Sequence, residues 1–183
     1  MILDKLKAQK LWNDTIVIFT SDHGYHLGEH FMWGKVTLFE ECARVPLVVR
    51  VPGTSQAGTT SDGLVETIDL FPTLAELCGL NIPAYVQGQS YASLIRKPGG
   101  PGKPSAYTVV SRGTQLGRSI RTQRWRYAEW GETKAAELYD LKSDPREYTN
   151  LAKSTKHRET VRQMKSRLVE RQAQAEAARK SPK

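Results

Sequence analysis

The chain reads as an α/β unit followed by a small antiparallel sheet with a C-terminal helix, and three features of its 183 residues predict this. Two short β-branched apolar runs, Thr15–Thr20 and Pro46–Val51, alternate in the first half with stretches of helical spacing. A glycine- and proline-rich interruption, RKPGGPGKPS, follows at Arg96–Ser105. Beyond it come short β-prone runs separated by turn residues, and then a long closing stretch with helical apolar spacing.

In order along the chain, Ile2, Leu3, Leu6 and Leu11 suit a helix over Ile2–Leu11 packed against a sheet. Their interspersed lysines do not read as a signal peptide. Thr15–Thr20 is continuously apolar, the pattern of a parallel strand buried on both faces, and Pro46–Val51 is its companion. A Gly/Thr/Ser-rich loop at Gly53–Asp62 leads to a helix over Leu70–Cys78. The organisation expected is residues 1–95 as α/β, 96–105 as linker, and 106–183 as a small α+β subdomain with a basic helix. Its strands are expected at Tyr107–Arg112, Arg118–Arg121, Trp125–Trp130 and Glu137–Leu141. Asp144, Pro145 and Asn150 mark the turn before the last helix, Ser154 to about Ala178, where Val161, Met164 and Leu168 form a narrow apolar stripe.

The chemistry concentrates where the first strand ends. In open α/β sheets ligands collect beyond the carboxyl ends of strands, and Ser21, Asp22 and His23 stand there. An isolated Asp-His pair more often caps a turn and makes a structural hydrogen bond. Here the pair keeps company with Gly24 and Gly28, which permit tight bending, with the ligand types His26, Glu29 and His30, and with Lys35, a compact positive charge suited to an oxyanion. Together they predict a metal-assisted site for an anionic group.

SDHGYHLGEH at Ser21–His30, WGK at Trp33–Lys35 and RVPLVVRVPG at Arg44–Gly53 resemble the sulfatase family, within it the group of iduronate and choline sulfatases. The resemblance continues through DLFPTLAELCGL at Asp69–Leu80, QGQS at Gln87–Ser90 and ELYDLKSDPREYTNLA at Glu137–Ala152. It implies the C-terminal part of an alkaline-phosphatase-like sulfatase fold, and hydrolysis of a sulfate ester, on a carbohydrate by preference. In that family a formylglycine made from a Cys/Ser-x-Pro-x-Arg motif attacks sulfur, while a divalent cation, usually calcium, stabilises the developing charge. Carried over, Asp22 and His23 match metal ligands and Lys35 matches a sulfate contact; His30 and His26 do not carry over, and His30 stays a candidate for a substrate-facing role or for a supporting role behind the ligands. An imidazole at His23 makes calcium a less specific assignment than an all-oxygen set does.

The departures carry equal information. The cysteines are Cys42 and Cys78, neither begins the nucleophile motif, and both are expected as small core residues rather than a disulfide. The family's first acidic ligand pair has no counterpart either. The expectation is a fragment, inactive alone, whose catalytic nucleophile lies elsewhere and whose partners include a separately encoded N-terminal half. The compartment is left open.

The formal charge of +8 lies almost wholly in the tail. Residues 153–183 hold ten Lys and Arg against three Asp and Glu, whereas residues 1–152 hold seventeen against sixteen. A solvated helix face explains this more simply than polyanion binding, which stays as the non-catalytic alternative. Outward alternation in a small sheet accounts for Arg118, Arg121, Arg124 and Arg126 without nucleic acid. No apolar stretch is long enough to cross a bilayer. Two further readings are phosphodiesterase or phosphonate hydrolase chemistry on the same architecture, and a zinc peptidase on the H-x-x-E-H spacing of His26–His30. The second conflicts with the helix-weakening glycines at 24 and 28.

Overall fold

The computed structural model describes residues 1–54, 56–131 and 135–180, with residues 179 and 180 as backbone alone. Ser55, within the predicted loop, and residues 181–183 of the basic tail lie outside the described residues.

Helix α1 spans Ile2–Ala8 and stops earlier than its apolar spacing suggests, because Lys10 turns into the left-handed region at φ +59°. It buries none of its residues, and Ile2 is 82% exposed, so it does not pack on the sheet as expected. Strand β1, Val17–Thr20, pairs antiparallel with a later strand at Leu47–Arg50, from Val17↔Arg50 to Thr20↔Leu47. This corrects the expected parallel, fully buried strand: Phe19 and Val48, cross-strand partners, are 66% and 61% exposed. The register gives the reason. Residues 21–46 leave and return at the same end of the ribbon, and a chain that does so must come back antiparallel.

That excursion contains the hairpin β2 (His26–Leu27) and β3 (Trp33–Gly34), then the single-turn helix α2 (Glu40–Ala43), before β4 (Leu47–Arg50). Arg50 fastens β4 to the segment before β1 by stacking 3.8 Å from the Trp12 ring and donating to the carbonyls of Trp12 and Thr15. Helix α3, Leu70–Leu77, follows a 3-10 turn in which Glu66 and Asp69 make a reciprocal capping box. The helix ends just before Cys78, which is exposed, whereas Cys42 is buried as predicted. A short α4, Ala92–Arg96, was not evident from the sequence.

The Gly/Pro-rich stretch at 96–105 packs closely on the α/β part. Gly102 runs against the Gly63–Leu64 backbone, where a Cβ would stand 2.4 Å from the Leu64 nitrogen. Lys103 reaches between Glu66 and Asp69, 2.6 Å from the Asp69 carboxylate. Glu66 also accepts from the Tyr107 N–H and from Arg171, so one carboxylate joins the α/β part, the sheet and the last helix.

The second half is a meander of β5 (Ala106–Arg112), β6 (Gln115–Arg121), β7 (Trp125–Trp130) and β8 (Ala135–Asp140), paired in that order. Helix α5, Arg158–Lys180, crosses it after a 3-10 turn at Thr155–His157. Met164 and Leu168 of the predicted stripe close the core over Ile120, Tyr127 and Leu138, with Val161 at its margin. Trp130 covers Gly117 across the β6–β7 ladder, filling space that a Cβ would enter.

Arg126, read from sequence as an outward charge, is instead buried at 2% exposure. Its guanidinium meets the Leu38 carbonyl, the Glu40 carboxylate and, at 2.6 Å, the Glu147 carboxylate. Glu147 in turn accepts the Glu40 N–H at 2.6 Å. This knot docks the small sheet onto the start of α2. Burial pushes the Glu147 carboxyl up to about 7 from an ordinary 4.5, against the opposing pull of Arg126 and the Glu40 N–H.

Replacing Arg126 by Met leaves these carboxylates without their cation and should cost about 3–5 kcal/mol in urea unfolding. A folded carboxyl whose pKa lies above its unfolded value favours folding most at low pH. The Glu147 contribution should therefore decline as pH rises from 4.5 to about 7, with a slope of at most about 1.4 kcal/mol per pH unit. Glu147→Gln should flatten that slope. In a native thiol titration Cys78 should react at once and Cys42 only on unfolding.

Candidate functional site

Because residues 21–46 leave and return at one end of the β1–β4 ribbon, the turn that opens this excursion stands at the carboxyl end of β1, and the hairpin leading to Lys35 folds back beside it. The turn there is ordered locally. Ser21 Oγ donates to the His23 carbonyl at 2.8 Å, and the His23 N–H donates to Asp22 Oδ1 at 3.0 Å. Asp22 itself points outward, 86% exposed.

His23 Nδ1 lies 2.8 Å from the Gly24 carbonyl oxygen. A carbonyl only accepts, so Nδ1 carries the proton and Nε2 presents its lone pair. That nitrogen is 2.8 Å from Lys35 Nζ and 3.6 Å from Asp22 Oδ2. Desolvation alone would raise the Asp22 pKa, but His23, the backbone N–H groups of Asp22 and His23, and Lys35 together hold it below the usual range. Asp22, His23 and Lys35 thus form one cluster on the wall of an open cleft between the α/β part and the small sheet.

As a place for a divalent cation the cluster fits in part. It offers an exposed carboxylate and an imidazole whose Nε2 lone pair is aimed by a hydrogen bond from its other nitrogen, the usual supporting arrangement for a metal-bound histidine; that lone pair accepts from Lys35 here, so a cation on it would take the place of the lysine contact. Among the described residues no group of three His, Cys, Asp or Glu side chains is placed to hold a metal, so these two would supply only part of a coordination shell.

His30 sits elsewhere. Its side chain is 10% exposed, stacked on Phe39 with ring centres 3.9 Å apart, and its Nε2 is 3.8 Å from Glu41 Oε2. His26 is fully buried and bonded through Nε2 to Thr37 Oγ1 at 2.8 Å. The zinc-peptidase spacing has no helix behind it: His26 lies in β2, His30 has left-handed backbone, and Glu29 accepts the Leu27 N–H at 2.7 Å.

The frame that holds the cluster was not legible as such. Gly24 was read as a bending residue, but its requirement is steric: a Cβ there would stand 1.8 Å from the Glu41 carbonyl oxygen, while its N–H donates to the Cys42 carbonyl at 2.9 Å. Glu41 and Cys42 carry no sequence signal for this role, since the contact is with backbone.

Residues 28–174 match the family model for the C-terminal domain of N-sulphoglucosamine sulphohydrolase. A curated relative, Δ4,5-hexuronate-2-O-sulfatase of Bacteroides thetaiotaomicron, is 36% identical over 166 residues, covering 85% of this chain and 34% of that protein. A solved structure of BT4656 in complex with its substrate D-glucosamine-2-N,6-O-disulfate superposes with a TM-score of 0.90 at 28% identity, covering 98% of this chain and 39% of that one. Phosphonate monoester hydrolase of Agrobacterium radiobacter superposes with a TM-score of 0.85 at 28% identity, over 94% of this chain and 38% of that one. The chain spans about a third of the length of the curated relatives it matches. Its architecture is that of the alkaline-phosphatase-like hydrolases, with the small sheet and C-terminal helix in place. Within that class the chain belongs to the sulfatase family.

Gly24→Ala should cost about 1–3 kcal/mol through overpacking. In NMR spectra the backbone signals of Asp22 and His23 should shift more than those of the small sheet.

Proposed function

We propose that this chain supplies part of the cation- and sulfate-binding wall of a carbohydrate sulfatase. The observation that carries the proposal is the approach of the Lys35 ammonium to His23 Nε2 beside the exposed Asp22 carboxylate, at the end of β1. A divalent cation, calcium by family preference, would supply Lewis acidity toward a sulfate oxygen when bound. Asp22 contributes charge and an oxygen ligand. His23 contributes a nitrogen whose direction the Gly24 carbonyl sets. Lys35 places a fixed positive charge where negative charge grows on the sulfuryl group, which is worth most in a site shielded from water.

The family's nucleophile motif, Cys/Ser-x-Pro-x-Arg, does not occur in the 183 residues, so the reading is that this chain alone does not turn over. The exposed face of the β1–β4 ribbon, with Phe19 and Val48, is where the remainder of an α/β layer would add and bring the formylglycine with it. A sulfated monosaccharide or glycan is the substrate class, supported by the relatives named above. The basic tail is a weaker candidate for function. On α5, Arg162 pairs with Glu159, Lys165 with Glu129 and Arg171 with Glu66, so part of its charge is already answered. Phosphonate ester cleavage is the second reading, favoured by the superposition on a phosphonate hydrolase.

The test is sulfate release from 6-O- and 2-O-sulfated monosaccharides, compared with an aryl phosphonate. It uses this chain alone and this chain co-expressed with an N-terminal sulfatase segment that carries the Cys/Ser-x-Pro-x-Arg motif. The chain alone should be inert and the combined protein active on a sulfated sugar. Lys35→Ala should lower kcat by about 10²–10³-fold. Faster turnover of the phosphonate would move the assignment to the second reading.

A further inference from the structure

The geometry points to the His30–Glu41 contact as a positioning device for Lys35, with His30 acting through its hairpin rather than touching substrate. This rests on reading Asp22, His23 and Lys35 as an anion- and cation-binding wall.

His30 holds a backbone conformation at φ +53° and is followed by Phe31 at φ +56°. Two consecutive left-handed residues that are neither glycine nor asparagine are costly. They persist only where the surroundings over-determine them. Backbone hydrogen bonds close the tip, from the Phe31 N–H to the Gly28 carbonyl, from the Met32 N–H to the Glu29 carbonyl and from the Gly28 N–H to the Met32 carbonyl, yet the Phe31 and Trp33 side chains, 103% and 74% exposed, add little support of their own. Side-chain support comes from the inward imidazole of His30, which lies nearly parallel to the Phe39 ring, at 10°, and brings Nε2 to 3.8 Å from Glu41 Oε2. Both atoms are buried and neither has a hydrogen-bond partner among the described residues, so imidazole and carboxylate answer one another.

Glu41 lies in α2, and α2 holds both arms of the candidate site. The Glu41 carbonyl fills the place of a residue-24 Cβ, and the Cys42 carbonyl accepts the Gly24 N–H. The Cys42 thiol meets the Gly34 carbonyl at 3.7 Å, next to Lys35. The turn bearing Asp22 and His23 and the hairpin ending at Lys35 are therefore clamped to the same four-residue helix. With one arm fixed at Gly24, the His30–Glu41 contact fixes the other. The result is the 2.8 Å approach of Lys35 to His23.

The experiment follows that approach in the full chain by NMR, through cross-relaxation between Lys35 side-chain and His23 ring protons. It compares wild type with His30→Asn and His30→Arg. Asparagine tolerates the left-handed backbone but cannot reach Glu41, whereas arginine brings a planar cation with the necessary reach. His30→Asn should lose the Lys35–His23 contact and weaken binding of inorganic sulfate about fivefold. His30→Arg should restore both. Should His30→Asn unfold, Glu41→Gln takes its place, keeping the shape and removing the charge, and should lose the contact in the same way. A contact that survives the loss of either partner overturns the proposal, as does a loss that arginine does not rescue. Sulfate binding that Lys35→Ala leaves unchanged would overturn the anion-site reading instead, and the contact measurement would still decide the role of His30.

Discussion

Arg126 is the constraint on which the rest of the molecule depends. A guanidinium at 2% exposure is tolerable only if it is answered, and here it is answered from two separate segments: the Leu38 carbonyl and the Glu40 carboxylate accept hydrogen bonds from it, and the Glu147 carboxylate pairs its charge 2.6 Å from Nε. Satisfying it forces β7, the start of α2 and the turn after β8 to one point. Glu147 accepts this position despite a left-handed backbone at φ +59°. Such strain is affordable because the carboxylate has two fixed partners, the Arg126 guanidinium and the Glu40 N–H.

From that point the order runs outward. The small sheet holds α2 through Arg126. Helix α2 holds the Asp22–His23 turn through Gly24 and the Lys35 hairpin through Gly34 and His30. A second, independent staple is Glu66, which gathers Lys103, the Tyr107 N–H and Arg171 and so keeps the Gly/Pro-rich crossing seated. The C-terminal sheet is thus more than an appendage to the α/β part. It is the support against which the turn bearing Asp22 and His23 is braced, at a place where the short β1–β4 ribbon offers little rigidity of its own.

Much of this was legible in the chain. The meander and its closing helix were readable because period-2 runs between turn residues and a 3.6-residue apolar stripe are local signals, and Met164 and Leu168 pack as that stripe requires. The metal-ligand and anion-binding types at Asp22, His23 and Lys35 were readable because they crowd one strand end, and the structure brings these three together. His30 was grouped with them on type and proximity, but the structure seats it against Phe39 and Glu41. Burial of Arg126 went unread because alternation marks a face without saying what covers it. The direction of β1 relative to β4 went unread because an apolar run looks the same in either pairing.

The amino-acid sequence by itself determined the class of fold, the family and the chemical vocabulary of the site, since periodicity, turn residues and ligand types are properties of neighbouring residues. Tertiary structure alone decided which groups are partners. The antiparallel return of β4, the burial of Arg126, the steric need for Gly24 and the inward seat of His30 each depend on contacts between residues far apart in the chain or on backbone atoms common to every residue type. Such contacts leave no local pattern, because a carbonyl oxygen or an opposing carboxylate is defined by where the chain returns and not by what precedes it.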